Sequence, residues 1–240
     1  MKITILTLFP EMFAGPFDHS IIKNAKEKGL IDIDFVNIRD FGIGKHQMVD
    51  DTPYGGGVGM VMKVDVLHQA IEHAKKSLSL SARSKSKGIQ QKVILMSAAG
   101  ETFNQKKAID FSKLDHLIII CGHYEGIDDR IKKYIDAEIS IGDFVLTGGE
   151  IPAMLITDAV TRLIPGVLPE GATENESFSL GDGEQLLEYP HYTKPQEYDG
   201  EFVPEILVSG NHPKIAEWKE EQSKERTGKN RPDLLKKVER

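Results

Sequence analysis

Two unbroken apolar runs, Val93–Met96 and Leu117–Cys121, constrain this chain more than any other feature. A strand with one wet face alternates polar and apolar residues. A strand covered on both faces reads as a continuous run, the pattern of a parallel sheet sandwiched between helices. Lys2–Leu8 and Ile31–Ile38 alternate with period two and read as two further strands. Helical spacing fills the gaps. Phe17–Lys28 stops at Gly29, and Val64–Leu78 places Val64, Leu67, Ala70, Ile71, Ala74 and Leu78 on one stripe. Gln105–Phe111, Ile127–Ile135 and Pro152–Leu163 read as helices too. This alternation predicts an α/β fold with a mainly parallel sheet.

The chain's 240 residues suffice for one large domain or two modest ones. Cys121 is the only cysteine, so there is neither a disulfide framework nor a thiolate zinc cluster. No apolar stretch approaches the ~20 residues that span a bilayer. The first apolar run ends at Pro10 and Glu11 and reads as a strand, not a signal peptide. A cytoplasmic protein without membrane contact is expected. Net charge is −7, but His212–Arg240 carries nine Lys or Arg against six Asp or Glu. Leu163–Thr193 holds six acids and no Lys or Arg. An acidic body with a basic tail permits a polyanionic partner, and a solvated helical face explains the tail equally well.

Composition divides the chain in three. Residues 1–164 carry the strand–helix alternation. Residues 165–188 are rich in Pro, Gly and acids and read as an exposed linker, long enough to be a functional lid. Residues 189–240, with Ile215, Trp218, Leu234 and Leu235, read as a small helical unit. Ser77–Gly88, with five serines, Arg83, Lys85 and Lys87, reads as a mobile surface loop.

Glycines punctuate the strand ends at Gly55-Gly56-Gly57 and Gly59, at Gly122 and Gly126, and at Gly142 and Gly148-Gly149. Lacking a Cβ, such residues let main chain lie directly against a flat ligand. Three glycine-built loops suggest one ligand held mostly by backbone atoms. The first strand leads to Phe9-Pro10-Glu11, not to a dinucleotide fingerprint, and no phosphate-binding G-x-x-x-x-G-K-[ST] loop occurs. Asp50–Met60 is glycine-rich without that lysine, and a structural turn is its default reading. No His, Asp or Glu grouping has metalloprotease or calcium-loop spacing. His191 and His212 read as surface or capping residues, and neither Ser97 nor Cys121 has a sequence-local base.

Longer motifs occur in order: Leu6–Phe13, Pro53–Gly57, Cys121–Arg130, Ser140–Leu146, Thr147–Met154, Arg162–Val167, Pro190–Pro195 and Ser209–His212. Together they resemble the bacterial tRNA (guanine-N1)-methyltransferase (TrmD) family of the SPOUT class, over nearly the whole chain. The resemblance implies methylation of guanosine 37, just 3′ of the anticodon. It also implies a deep trefoil knot at the end of the parallel sheet, with threaded loops after Met96, Cys121 and Ile141, and a small, mostly helical tRNA-binding domain. By position, the S-adenosylmethionine set is Ser97, Ala98, Gly100, Gly122, Tyr124, Ile141, Gly142, Leu146, Gly148 and Gly149. The family commonly has Pro-Gln where Ala98-Ala99 stand, a change that spares backbone contacts. A dependence on Mg²⁺, with Glu125 near the site, is implied too.

Methylating guanine N1 requires its proton to be removed and the charge developing on O6 to be stabilised. In the family an aspartate just before Ser-Phe in the linker is the base, and the arginine matching Arg162 is the cation. Here Glu176 precedes Ser177-Phe178, so Glu176 is the expected base, with Glu174 as alternative. Relatives are homodimers whose active site joins one subunit's knot to the other's linker and C-terminal domain. Lys194, Lys214, Lys219, Lys224, Arg226, Lys229 and Arg231 are candidate phosphate contacts, or ordinary helix surface. Two rival readings are a knotted methyltransferase acting on another RNA and a non-catalytic RNA-binding protein of the same fold.

Overall fold

The computed structural model describes residues 1–79, 88–174, 176–179 and 185–235. Most of the serine-rich segment expected to be a mobile loop lies outside the described residues. The chain divides into two compact units, Met1–Leu168 and Pro169–Arg240, each considered by itself.

The first unit runs β1 (Lys2–Thr7), α1 (Ser20–Glu27), β2 (Asp32–Asn37), β3 (Asp50–Asp51), β4 (Val61–Met62), α2 (Val64–Ser79), β5 (Gln91–Thr102), α3 (Gln105–Ser112), β6 (His116–Ile120), β7 (Gly126–Ile127), β8 (Ala137–Ser140) and α4 (Glu150–Thr161). Five strands form one sheet in the order β2-β1-β6-β5-β8, every pair parallel. The two apolar runs explain the layering. Ile94, Met96, Leu117 and Ile119 face a core that includes Ile22 and Ala25 of α1, Phe111 of α3, and Ala153, Ile156 and Val160 of α4. Their neighbours Val93, Leu95, Ile118 and Ile120 face Val66, Leu67, Ala70, Ile71 and Ala74 of α2. Alternate residues of one run thus serve opposite layers, which is why the run shows no polar break. Each large side chain buried there contributes ~1.5–3 kcal/mol relative to exposure.

One local reading is corrected. Ile127–Ile135 is not an α-helix: Ile127 belongs to β7, which pairs with β4, and a 3-10 turn spans Asp129–Lys133. The Asp128 carboxylate accepts from the Arg130 backbone N–H at 3.0 Å and from its Nε at 2.9 Å, and such local bonds compete with a helical ladder. The apolar stretch Phe144–Leu146 forms no strand and is exposed.

β5 is longer than its apolar centre. Met96 and Glu101 both pair with Ile139 of β8, so Ser97–Gly100 bulges out of the ladder before pairing resumes. Gly100 makes that bulge possible, because a Cβ there would lie 2.4 Å from the Glu138 carbonyl carbon. The excursion and the β8 end therefore rise side by side at the carboxyl edge of the sheet.

The second unit contains β9 (Glu197–Tyr198) paired antiparallel with β10 (Glu201–Phe202), then α5 (Glu205–Val208) and α6 (His212–Asn230). Asn211 caps α6 by accepting from the Lys214 N–H. Among the described residues of α6 only Ser223 and Thr227 are buried. Thr227 accepts from the Leu187 N–H at 2.9 Å. Ser177 accepts from the Glu188 N–H at 3.0 Å, and Phe178 donates to the Leu186 carbonyl at 2.7 Å. Leu186 is buried, although its stretch reads as exposed in sequence.

Candidate functional site

An open-sided cleft lies at the carboxyl ends of β5 and β8. It is lined by Met96–Ala98, Ile139–Gly142, Phe144–Leu146, Gly148, Gly149 and Pro152, and encloses about 490 Å³ including its mouth. Small-molecule sites run ~300–1,000 Å³. Seven of the expected cofactor residues meet there: Ser97, Ala98, Ile141, Gly142, Leu146, Gly148 and Gly149.

Gly149 ties this cleft to β6. Its N–H donates to the Gly122 carbonyl at 2.9 Å, and a Cβ on it would sit 2.6 Å from Cys121 Cα. No side chain fits, so the start of α4 rests directly on the end of β6. Gly122 accordingly supports the floor from behind and does not line the cleft. Gly100 acts in the same way beneath the β5 bulge.

Tyr124 and Glu125 belong to a neighbouring surface. Tyr124 is exposed, with φ of 62°, and its ring meets that of His123 edge-on at 5.3 Å. The Glu125 side chain lies against Gly59, and its N–H donates to the Met60 carbonyl at 3.1 Å. The loop around residues 55–59 is thereby anchored to residues 124–126 through the small β3-β4-β7 sheet. Tyr54 and Val58 project from this loop almost fully exposed.

Arg162 caps the C-terminus of α4 in the first unit, half-buried. Glu174 and Glu176 lie in turns of the second unit, where the Glu176 carbonyl accepts from the Ser179 N–H at 3.0 Å. His191 pairs with Glu188 at 2.9 Å, and His212 opens α6. The Cys121 thiol is held well above its usual range, first by burial and then by the Glu150 carboxylate, so it is no nucleophile. Among the described residues no three His, Cys, Asp or Glu group together as metal ligands, and no helix is long and apolar enough to cross a membrane.

Glu150, which sequence reasoning did not single out, is 2% exposed at the first position of α4. Its Oε1 accepts from the Thr7 hydroxyl at 2.8 Å. The sequence signal was an acid placed between a glycine pair and an apolar helix, where an anion suits the helix N-terminus.

Fold and cleft together define an α/β protein with an open, glycine-lined cleft at the carboxyl ends of parallel strands, the place where open α/β sheets bind ligands. Comparison with known families narrows the class. Residues 1–237 match the family described as tRNA (Guanine-1)-methyltransferase TrmD, and the chain belongs to that family. It is 54% identical over 241 residues to the tRNA (guanine-N(1)-)-methyltransferase of Desulforamulus reducens, covering 100% of this chain and 90% of that protein. The enzyme of the same name from Carboxydothermus hydrogenoformans is 55% identical, over 98% of this chain and 88% of its own. That from Dictyoglomus turgidum is 52% identical, over 99% and 91%.

Proposed function

We propose that this protein is a tRNA (guanine-N1)-methyltransferase that methylates guanosine 37 with S-adenosylmethionine, acting as a cytoplasmic homodimer. The observation that carries the reading is the family match along residues 1–237. The cleft fits the donor, because a flat adenine needs the backbone N–H and C=O groups that a glycine-floored wall leaves open. Ser97, Ala98, Ile141, Gly142, Leu146, Gly148 and Gly149 hold it; Gly100 and Gly122 keep the two flanking loops in place. When bound, the donor supplies an electrophilic methyl that needs no further activation.

The chain's own work lies on the guanine. Glu176, or failing it Glu174, takes the N1 proton, and Arg162 neutralises the charge that collects on O6. Glu125 is the carboxylate offered to Mg²⁺, and no step depends on it here. The bulged β5 and the loops after Cys121 and Ile141 form the trefoil knot of the SPOUT class. A second copy covers the exposed apolar side chains of Phe144, Val145, Ile151 and Leu155, which would otherwise be left facing water. That copy contributes its linker and C-terminal unit to the site, and residues 189–240 grip the tRNA.

The test is transfer of labelled methyl to anticodon stem-loop transcripts that differ only at position 37. Label in the guanosine transcript and none in the adenosine one supports the reading. Equal labelling, or label only in a ribosomal RNA fragment, points to a different substrate.

A further inference from the structure

Glu150 is a buried carboxyl group with no ion-pair partner among the described residues. The residue is 2% exposed, and Oε1 accepts a hydrogen bond from Thr7. The Thr7 hydroxyl is itself tied to the loop, accepting from the Phe9 N–H at 2.9 Å. A helix N-terminus and one hydroxyl offset part of the cost of burying a carboxylate, yet buried charges are ordinarily paired. Oε2 points at the cleft wall: a Cβ on Gly148 would lie 2.4 Å from it. The same point is 2.7 Å from His123 Nδ1, a buried ring nitrogen with no hydrogen-bond partner. Gly148 therefore stands against this polar pair and also lines the cleft.

We infer that the Glu150 carboxylate is the counter-charge for a cationic ligand in the cleft, the sulfonium of the methyl donor, with the His123 ring beside it. The inference rests on the reading of the cleft as the donor site. It makes Glu150 a positioning and specificity residue acting through the Gly148 wall, not a group that touches the guanine. Attraction across the Gly148 wall favours the positively charged donor over its neutral thioether product, S-adenosylhomocysteine. Methyl transfer cancels that attraction, which assists product release.

Calorimetric titration of both ligands into the full-length protein tests this. Glu150→Gln keeps the shape and the bond from Thr7 but removes the charge. It should weaken S-adenosylmethionine on the order of tenfold, the size of one modest charge–charge contact, and S-adenosylhomocysteine by less than about twofold. Glu150→Asp, which keeps the charge, should restore the discrimination. Equal losses for the two ligands, or none for either, would overturn the inference. If Glu150→Gln does not fold, His123→Lys supplies an internal ammonium beside the carboxylate. The same selective loss is then expected, and an equal effect on both ligands overturns the inference again. Wild-type protein that binds neither ligand would instead remove the donor-site reading itself.

Discussion

The Gly149 N–H donates to the Gly122 carbonyl at 2.9 Å, joining the first turn of α4 to the end of β6. The contact is so close that Gly149→Ala would drive a Cβ to 2.6 Å from Cys121 Cα and 2.8 Å from the Gly122 nitrogen, both backbone atoms that cannot swing aside. Overpacking of this kind costs ~1–3 kcal/mol. The variant is expected to melt several degrees lower and to lose donor binding by more than its stability loss explains. Thermal melts with and without donor check this. A variant whose midpoint rises with donor as the wild type's does would contradict it.

Glu176→Gln is expected to cut single-turnover methylation by ~10²–10⁴-fold, the usual share of a general base, while tRNA affinity holds. Glu174→Gln should stay within a few-fold of wild type. Should the larger loss fall on Glu174→Gln, the two acids exchange roles.

His116 governs an acid sensitivity unrelated to the site. Gln91 Nε2 lies 2.6 Å from its Nδ1 and the Thr4 hydroxyl 2.8 Å from its Nε2. An amide NH₂ can only donate, so this arrangement suits the neutral ring. Burial, then the nearby Lys2 ammonium, lowers its pKa from 6.5 to about 4, with Asp34 opposing in part. The unfolded chain binds that proton more readily. Stability is therefore complete above about pH 6.5 and falls as the pH drops toward 4. Urea unfolding near pH 7 and near pH 5.5 should show a larger loss for wild type than for His116→Asn. Equal losses would mean that other groups carry the effect.

The basic residues of the second unit are not equivalent. Lys224 pairs with Glu220 at 2.5 Å, Arg231 with Asp233 at 2.7 Å, and the Lys219 ammonium sits 4.5 Å from the Tyr189 ring centre. Lys214 and Lys229 carry no ion pair among the described residues, so they meet phosphate at the least cost. Removing either should lower the salt slope of tRNA binding by about 1, and removing Lys224 should lower it less. Filter binding across a salt series measures this, and a larger change for Lys224 would reverse the ranking.

Much of the sheet was legible because Val93–Met96 and Leu117–Cys121 are apolar on both faces, and only a covered parallel strand asks for that. The stripe Leu67, Ala70, Ile71 and Ala74 was legible for the same kind of reason. The segment after Ile127 was not, because the Asp128 carboxylate captures the Arg130 N–H and guanidinium where helical spacing suggested a longer helix. Nor was the β5 bulge, which depends on Gly100 meeting the Glu138 backbone from a strand distant in sequence. The glycine loops suggested a main-chain site; Ser97, Ala98, Ile141, Gly142, Leu146, Gly148 and Gly149 line one cleft, whereas Gly100, Gly122, Tyr124 and Glu125 do not. Glu150 escaped notice because a carboxylate at a helix start is ordinarily a surface residue. Only the fold places Thr7 against it and buries both.

The most direct test of the account is the crystal structure of the protein with S-adenosylmethionine bound. Donor density between Met96–Ala98, Ile139–Leu146 and Gly148-Gly149, its adenine edge hydrogen-bonded to main chain, is the predicted result. Density elsewhere, with this cleft holding only water, would contradict it.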